Sequence, residues 1–272
     1  MNGKTTDYTV YADFLVKIGA KHTILLCPNS ATVKVDGKSY FFPNGERVPP
    51  VHLNFITKTK KEVIEAAERK KIGKQNPKYF GFGKIYGERK LYNFLEIDIN
   101  GAYWETAYKE GLLSESTYQK GLTVPKRVRL MAFGAAASMK DVYEYDGKSY
   151  SIKDPIYNEY GRRAFFHVAA LVGKLMSDIS SMIPSVFLLY WVDAIFVHSL
   201  WSVYVFQRLE SAGYEYTTKE IPVIFIKQGS GQKPDQIVCV VKESENENNC
   251  AYERKTFLNP KRNIKKLPNV AR

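Results

Sequence analysis

Cysteine is nearly absent from this chain. Three in 272 residues, Cys27, Cys239 and Cys250, are odd in number and scattered, which suits neither a disulfide framework nor a zinc site. Long apolar runs are missing as well. The longest, Phe187 to Val197, has Asp193 inside it and is too short to span a bilayer. The start, MNGKTTDYTVYADF, has no apolar leader core, so the expectation is a cytoplasmic protein with no membrane partner. Repeats and low-complexity linkers are also lacking. Acids are outnumbered, 28 Asp+Glu against 40 Lys+Arg, for a formal charge of +12. That balance points to a polyanionic partner, nucleic acid ahead of membrane. What remains is a chain with 44% hydrophobic residues, long enough to bury a sizeable core in one large domain or two small ones.

Residues 1–90 read as a β-rich region followed by a charged helix. His22–Cys27 and Ala31–Val35 are strand-like, and Asp36-Gly37 is a hairpin turn into Ser39–Phe42. Lys60–Lys71 reads as a helix ending near Gly73. From Lys58 to Lys90, bases including Lys84 alternate with Tyr79, Phe80, Phe82 and Tyr86. Such a mixture can track phosphates and stack on bases; a solvated helix face followed by an aromatic turn is the other reading. Between 91 and 242 the pattern is more regular. Tyr92–Asn100 reads as a strand and Tyr103–Glu110 as a helix. Pro125 opens a helix reaching about Lys140, and Val142–Tyr145 with Lys148–Ile152 forms a hairpin. Gly161–Ile179 carries one apolar stripe through Phe165, Val168, Val172, Met176 and Ile179. Val186–His198 is a strand pair, Trp201–Ala212 a helix and Val223–Lys227 a strand. Trp104 and Trp201 read as core. The polar and basic residues 243–272 form a tail. The fold class expected is α+β, an antiparallel sheet backed by helices with a small β-rich N-terminal region.

Two segments put acids where folding alone does not ask for them. In Phe94–Asn100, side chains alternate: Leu95, Ile97 and Ile99 face one way, Glu96, Asp98 and Asn100 the other. Asp193 sits in an otherwise apolar run, where a carboxylate must find a cation or a donor. A turn at Asp193-Ala194 puts it at a hairpin tip beside a neighbouring strand. Two carboxylates from separate strands form a hard-oxygen site suited to Mg²⁺ or Mn²⁺, and such ions can drive nucleotidyl transfer. Taken singly, each Asp also fits a turn or an internal hydrogen bond.

These segments resemble family B DNA polymerases, most closely the protein-primed phage branch. Leu95-Glu96-Ile97-Asp98-Ile99-Asn100-Gly101-Ala102-Tyr103 is similar to the first palm motif, D-x-x-S-L-Y-P. Tyr190–Val197 resembles the Y-x-D-T-D-S-I-F-V strand pair, with Asp193 on the second Asp. Lys153–Tyr157, Gly161 and the apolar helix after them are similar to the segment preceding that pair. Tyr79-Phe80-Gly81-Phe82-Gly83 resembles the Y-x-G-G/A template segment. The chain departs at Trp191, which replaces the first Asp, at Trp104, which replaces the proline, and at Arg129–Ala137, a remnant of the K-x-x-x-N-S-x-Y-G helix.

The resemblance implies a polymerase-like palm over 91–242. Asp98 and Asp193 would hold the catalytic Mg²⁺ or Mn²⁺, with Glu96 as auxiliary ligand. Tyr103 would select the sugar, and Arg129 or Lys126 would hold the triphosphate. Tyr79, Gly81, Lys84, Arg162 and Arg163 would contact nucleic acid. The function implied is a minimal DNA polymerase or primase-like nucleotidyltransferase acting on a primer-template or single-stranded DNA with nucleoside triphosphates, in a phage or replication setting with protein partners. The alternative is a palm that has lost catalysis and serves as a nucleic-acid-binding or scaffold protein.

Overall fold

The computed structural model describes residues 7–27, 30–43, 49–82, 89–228, 237–242 and 252–256. In chain order, helix α1 (Tyr8–Lys17) precedes strands β1 (His22–Cys27), β2 (Ser30–Val35) and β3 (Lys38–Pro43), then helix α2 (Pro50–Arg69). Strands β4 (Phe80–Phe82) and β5 (Arg89–Ile99) lead to helices α3 (Ala102–Lys109), α4 (Glu115–Thr123) and α5 (Lys126–Gly134). Strands β6 (Met139–Tyr145) and β7 (Tyr150–Tyr157) precede helix α6 (Glu159–Met182). Strands β8 (Phe187–Trp191) and β9 (Ala194–His198), helix α7 (Ser202–Ser211), and strands β10 (Tyr216–Gln228), β11 (Ile237–Lys242) and β12 (Tyr252–Thr256) complete the order. The class is α+β, as expected from the sequence. Its antiparallel sheets have strand orders β3-β2-β1-β6-β7 and β12-β11-β10-β5-β9-β8-β4. No described helix is long and apolar enough to cross a membrane.

Two compact units are present. One takes the chain up to Gly73 with Gly111–Phe165; the other takes Lys74–Glu110 with the described residues from Phe166 onward. Each unit draws on separate stretches of chain, a different division from the serial one at residues 90 and 242.

In the first unit, α1 packs Ala12 and Leu15 against Ile24, Val33, Val35 and Tyr143 of the five-stranded sheet. The Asp7 carboxylate caps α1 by accepting from the Thr9 N–H at 2.9 Å. Asp36 and Gly37 have φ of 48° and 72° and join the paired residues Val35 and Lys38. Left-handed φ at both central positions is what a two-residue hairpin with right-handed strand twist requires. β1 also pairs with β6, so the N-terminal strands and the later hairpin form one sheet.

Several elements depart from the sequence expectation. Helix α1 precedes the strands, and α2 begins at Pro50 rather than Lys60, because a proline in the first turn gives up an N–H that has no helical partner anyway. The Ser114 hydroxyl caps α4, which the sequence reading passed over. The Glu62 carboxylate strengthens that end by accepting from the Ser114 N–H and from Thr117 Oγ1. Helix α5 stops at Gly134, where a short tight turn, Ala135–Ala137, leads into β6. The tail supplies β12, paired with β11; the rest of 243–272 lies outside the described residues. Trp104 is core at 3% exposure, whereas Trp201 is 42% exposed and stacks on Tyr204.

Thr59, in the buried stripe of α2, has its hydroxyl buried with no hydrogen-bond partner among the described residues. Thr59→Val keeps the shape and removes that desolvated oxygen, and is expected to stabilise by about 1 kcal/mol. The check is a rise in the urea midpoint at constant m.

The Tyr150 hydroxyl lies 2.7 Å from His22 Nε2, and burial, followed by Asp13, Tyr145 and Tyr8, pushes this phenol up to about 12. A folded value above the ordinary ~10 means its contribution is full below pH 10 and is lost as pH rises through 12. Tyr150→Phe is expected to flatten the fall in unfolding free energy between about pH 10 and 12. Urea unfolding across that range, with absorbance at 295 nm for phenolate, measures it.

Candidate active site

The candidate site belongs to the second unit, and β5 builds it. Ile97 and Ile99 are fully buried with Val172, Met176 and Ile179 of α6, Val205 and Leu209 of α7, and Ile195 and Val197 of β9. Burying that row places Glu96 and Asp98 on the opposite face, since successive strand residues alternate. Both are half-buried. The strand then turns at Gly101, left-handed at φ 62°, into α3, which carries Tyr103 in its first turn.

Cross-strand register supplies the neighbours. Asp98 lies opposite Ala194 on β9 and Thr217 on β10; Glu96 lies opposite Phe196 and Lys219. The residue before Ala194 is Asp193. It belongs to a two-residue turn, Val192-Asp193, closed by the pair Trp191 and Ala194. The turn falls one residue earlier than the sequence reading had it, and Ala194 opens β9. The Asp193 carbonyl accepts from the Ile99 N–H at 3.0 Å, and the Val192 N–H donates to the Tyr79 carbonyl at 2.6 Å. Asp193 therefore sits in the β8–β9 turn, one position before the residue that pairs with Asp98.

Two tyrosines join them. Burial chiefly, then Tyr79 and Asp193, pushes the Tyr103 phenol far above its usual range. Burial also raises Tyr79. Both remain neutral O–H groups at physiological pH, and Tyr103 lies close enough to Asp193 to feel its charge. Thr217 and Lys219 are additions that the sequence reading did not name. Their only signal was alternation through Tyr216–Glu220, hidden because β10 begins in exposed polar residues before the apolar run at Val223.

The remaining candidates have varied positions. Gly81 pairs with Tyr190, whose ring occupies the space that a Cβ would need; close packing alone accounts for this glycine. Lys84 lies outside the described residues. Lys126 and Arg129 are on α5 of the first unit, exposed and half-buried respectively. Arg162 and Arg163, also of that unit, have partners there. Arg162 donates to the Met139 sulfur at 3.0 Å and covers the Tyr157 ring at 4.7 Å. Arg163 pairs with Glu159 at 2.5 Å and covers the Tyr160 ring at 5.6 Å. The acid Glu159, in the first turn of α6, thus offsets the cation one turn on, near the helix end where the dipole disfavours it.

Asp98 and Asp193 present hard oxygen donors of the kind Mg²⁺ and Mn²⁺ prefer. Among the described residues no group of three or more His, Cys, Asp or Glu forms a metal cluster. Fold and site together define an α+β protein of antiparallel sheets, with one aspartate on the inner strand β5 and another in the β8–β9 turn. Neither a protein-family model nor a curated protein matches the chain.

Proposed function

We propose that this chain is a compact template-dependent nucleotidyltransferase, a minimal DNA polymerase or primase-like enzyme. Asp98 and Asp193 hold its Mg²⁺ or Mn²⁺. The observation that carries this reading is the register that sets Asp98 opposite Ala194, the residue after Asp193, on inner strands of a helix-backed antiparallel sheet. Bound divalent ions supply Lewis-acid stabilisation of charge on a nucleotide's phosphates and acidify a 3′ hydroxyl. The chain's own residues do the holding: two carboxylates bind, neutral Tyr103 packs beside Asp193 and selects the sugar, and main-chain bonds fix the turn. A formal charge of +12 supports a primer-template or single-stranded DNA partner, with nucleoside triphosphates as substrates.

Labelled-primer extension with Mg²⁺ or Mn²⁺ tests the proposal. Metal-dependent incorporation above an Asp98→Asn background is expected. A second reading, a binding or scaffold palm without catalysis, is favoured by Trp191, which stands where the family motif carries an acid. Salt-sensitive DNA binding with neither incorporation nor metal dependence would establish that reading instead.

A further inference from the structure

Four non-glycine residues among those described have positive φ: Asp36 (48°), Lys71 (52°), Asn93 (57°) and Val192 (57°). Three have ordinary explanations. Asp36 belongs to the Asp-Gly hairpin turn. Lys71 follows the last residues of α2, a common left-handed cap position. Asparagine tolerates this region because its short polar side chain bonds locally. Val192 has no such explanation. A β-branched side chain at positive φ crowds the neighbouring carbonyl, and the first central position of a hairpin turn with positive φ only there belongs to glycine.

The strained residue is held from two sides. Its N–H is bonded to the Tyr79 carbonyl, on the segment entering β4, and the next carbonyl, that of Asp193, is bonded to the Ile99 N–H on β5. Ile99 directly follows Asp98, and Ala194 pairs with Asp98. The valine turn is thus fastened to the strand that carries the other acid. Strain of this kind persists where the surroundings over-determine the backbone, and it collects at functional turns.

We propose that Val192 is a positioning residue: pinned between Tyr79 and β5, its stiff left-handed backbone restricts the turn to one arrangement and fixes Asp193 relative to Asp98 for divalent-cation binding. This rests on the metal reading above. Glycine at 192 removes the strain and the restriction together, because it enters many φ wells that valine cannot.

The test uses the full chain, Mn²⁺ alone as ligand, titrated by electron paramagnetic resonance, and thermal unfolding of Val192→Gly and Val192→Ile. Val192→Gly is expected to weaken Mn²⁺ binding about tenfold, the scale of lost support around a metal ligand. Its Tm is expected to stay level or rise, since released strain offsets the added chain freedom. Val192→Ile, which keeps the β-branch, is expected to bind as wild type does. Unchanged Mn²⁺ affinity in Val192→Gly overturns the inference and leaves the metal reading standing. A fall in Tm together with lost binding also overturns it, by showing that the side chain is needed for packing. Mn²⁺ binding that is absent in wild type, or undiminished in Asp98→Asn and Asp193→Asn, overturns the metal reading and the inference with it.

Discussion

Asp193→Asn is expected to lower metal-dependent nucleotide incorporation by roughly 10²–10³-fold, the effect of removing one preorganised charge-stabilising group, while the fold stays intact. The substitution is nearly isosteric and deletes only a negative charge. What holds the turn in place is main chain: the Asp193 carbonyl to Ile99 and the Val192 N–H to Tyr79. Neither bond uses the carboxylate, and Asp193 is only half-buried, so no deep cavity results. The same loss is expected for Asp98→Asn, whose neighbours on β9 and β10 are fixed by strand pairing. Single-nucleotide incorporation in Mn²⁺, with thermal unfolding of the same preparations, separates chemistry from folding. Incorporation by Asp193→Asn at the wild-type level would end the enzyme reading.

Gly173→Ala is expected to destabilise the fold by about 1–3 kcal/mol or more. A Cβ at this point of α6 runs into the Lys78 carbonyl oxygen and lies 3.2 Å from its carbon and 3.6 Å from the Lys78 nitrogen. These are backbone atoms, and no rotamer change relieves the overlap. The helix or the strand-entry segment must move. Tyr79 follows directly, and its carbonyl holds the Val192 N–H at 2.6 Å. The damage therefore reaches the turn carrying Asp193, and Mn²⁺ binding should weaken along with Tm. At about 2–4 °C per kcal/mol for a chain of this size, the shift is readily measured. Gly134→Ala is the control: this helical residue at φ −62° has nothing within 4 Å of an added Cβ, so the change is expected to be neutral or slightly stabilising.

Features set by neighbours within a few residues were legible in the chain. Alternation in Phe94–Asn100 foretold an acidic face opposite Ile97 and Ile99, and the spacing from Phe165 to Ile179 foretold the core-facing stripe of α6. Asp36-Gly37 marked a hairpin, and the lone acid in Phe187–Val197 marked another. Local rules have local limits, however. Helix α4, the first ten residues of α2 and the polar start of β10 carry weak periodic signals, because much of each is exposed and little of it is chosen by burial.

Which strands meet depends on the assembled core. A strand's pattern states which face is buried but not which partner it has, since any strand with a matching face pairs equally well in isolation. The joining of β1 to β6 in one sheet, and of β5 to both β9 and β10 in the other, follows from burying all the apolar faces at once. Tertiary contacts also gave the glycines at 81 and 173 their reasons, the Tyr190 ring and the Lys78 backbone, and forced a valine into a left-handed turn. The sequence supplied two unexplained aspartates. Bringing the turn of Asp193 to β5 needed the whole sheet, because the bond from the Ile99 N–H to the Asp193 carbonyl links residues remote in sequence, and only the assembled core holds them in register.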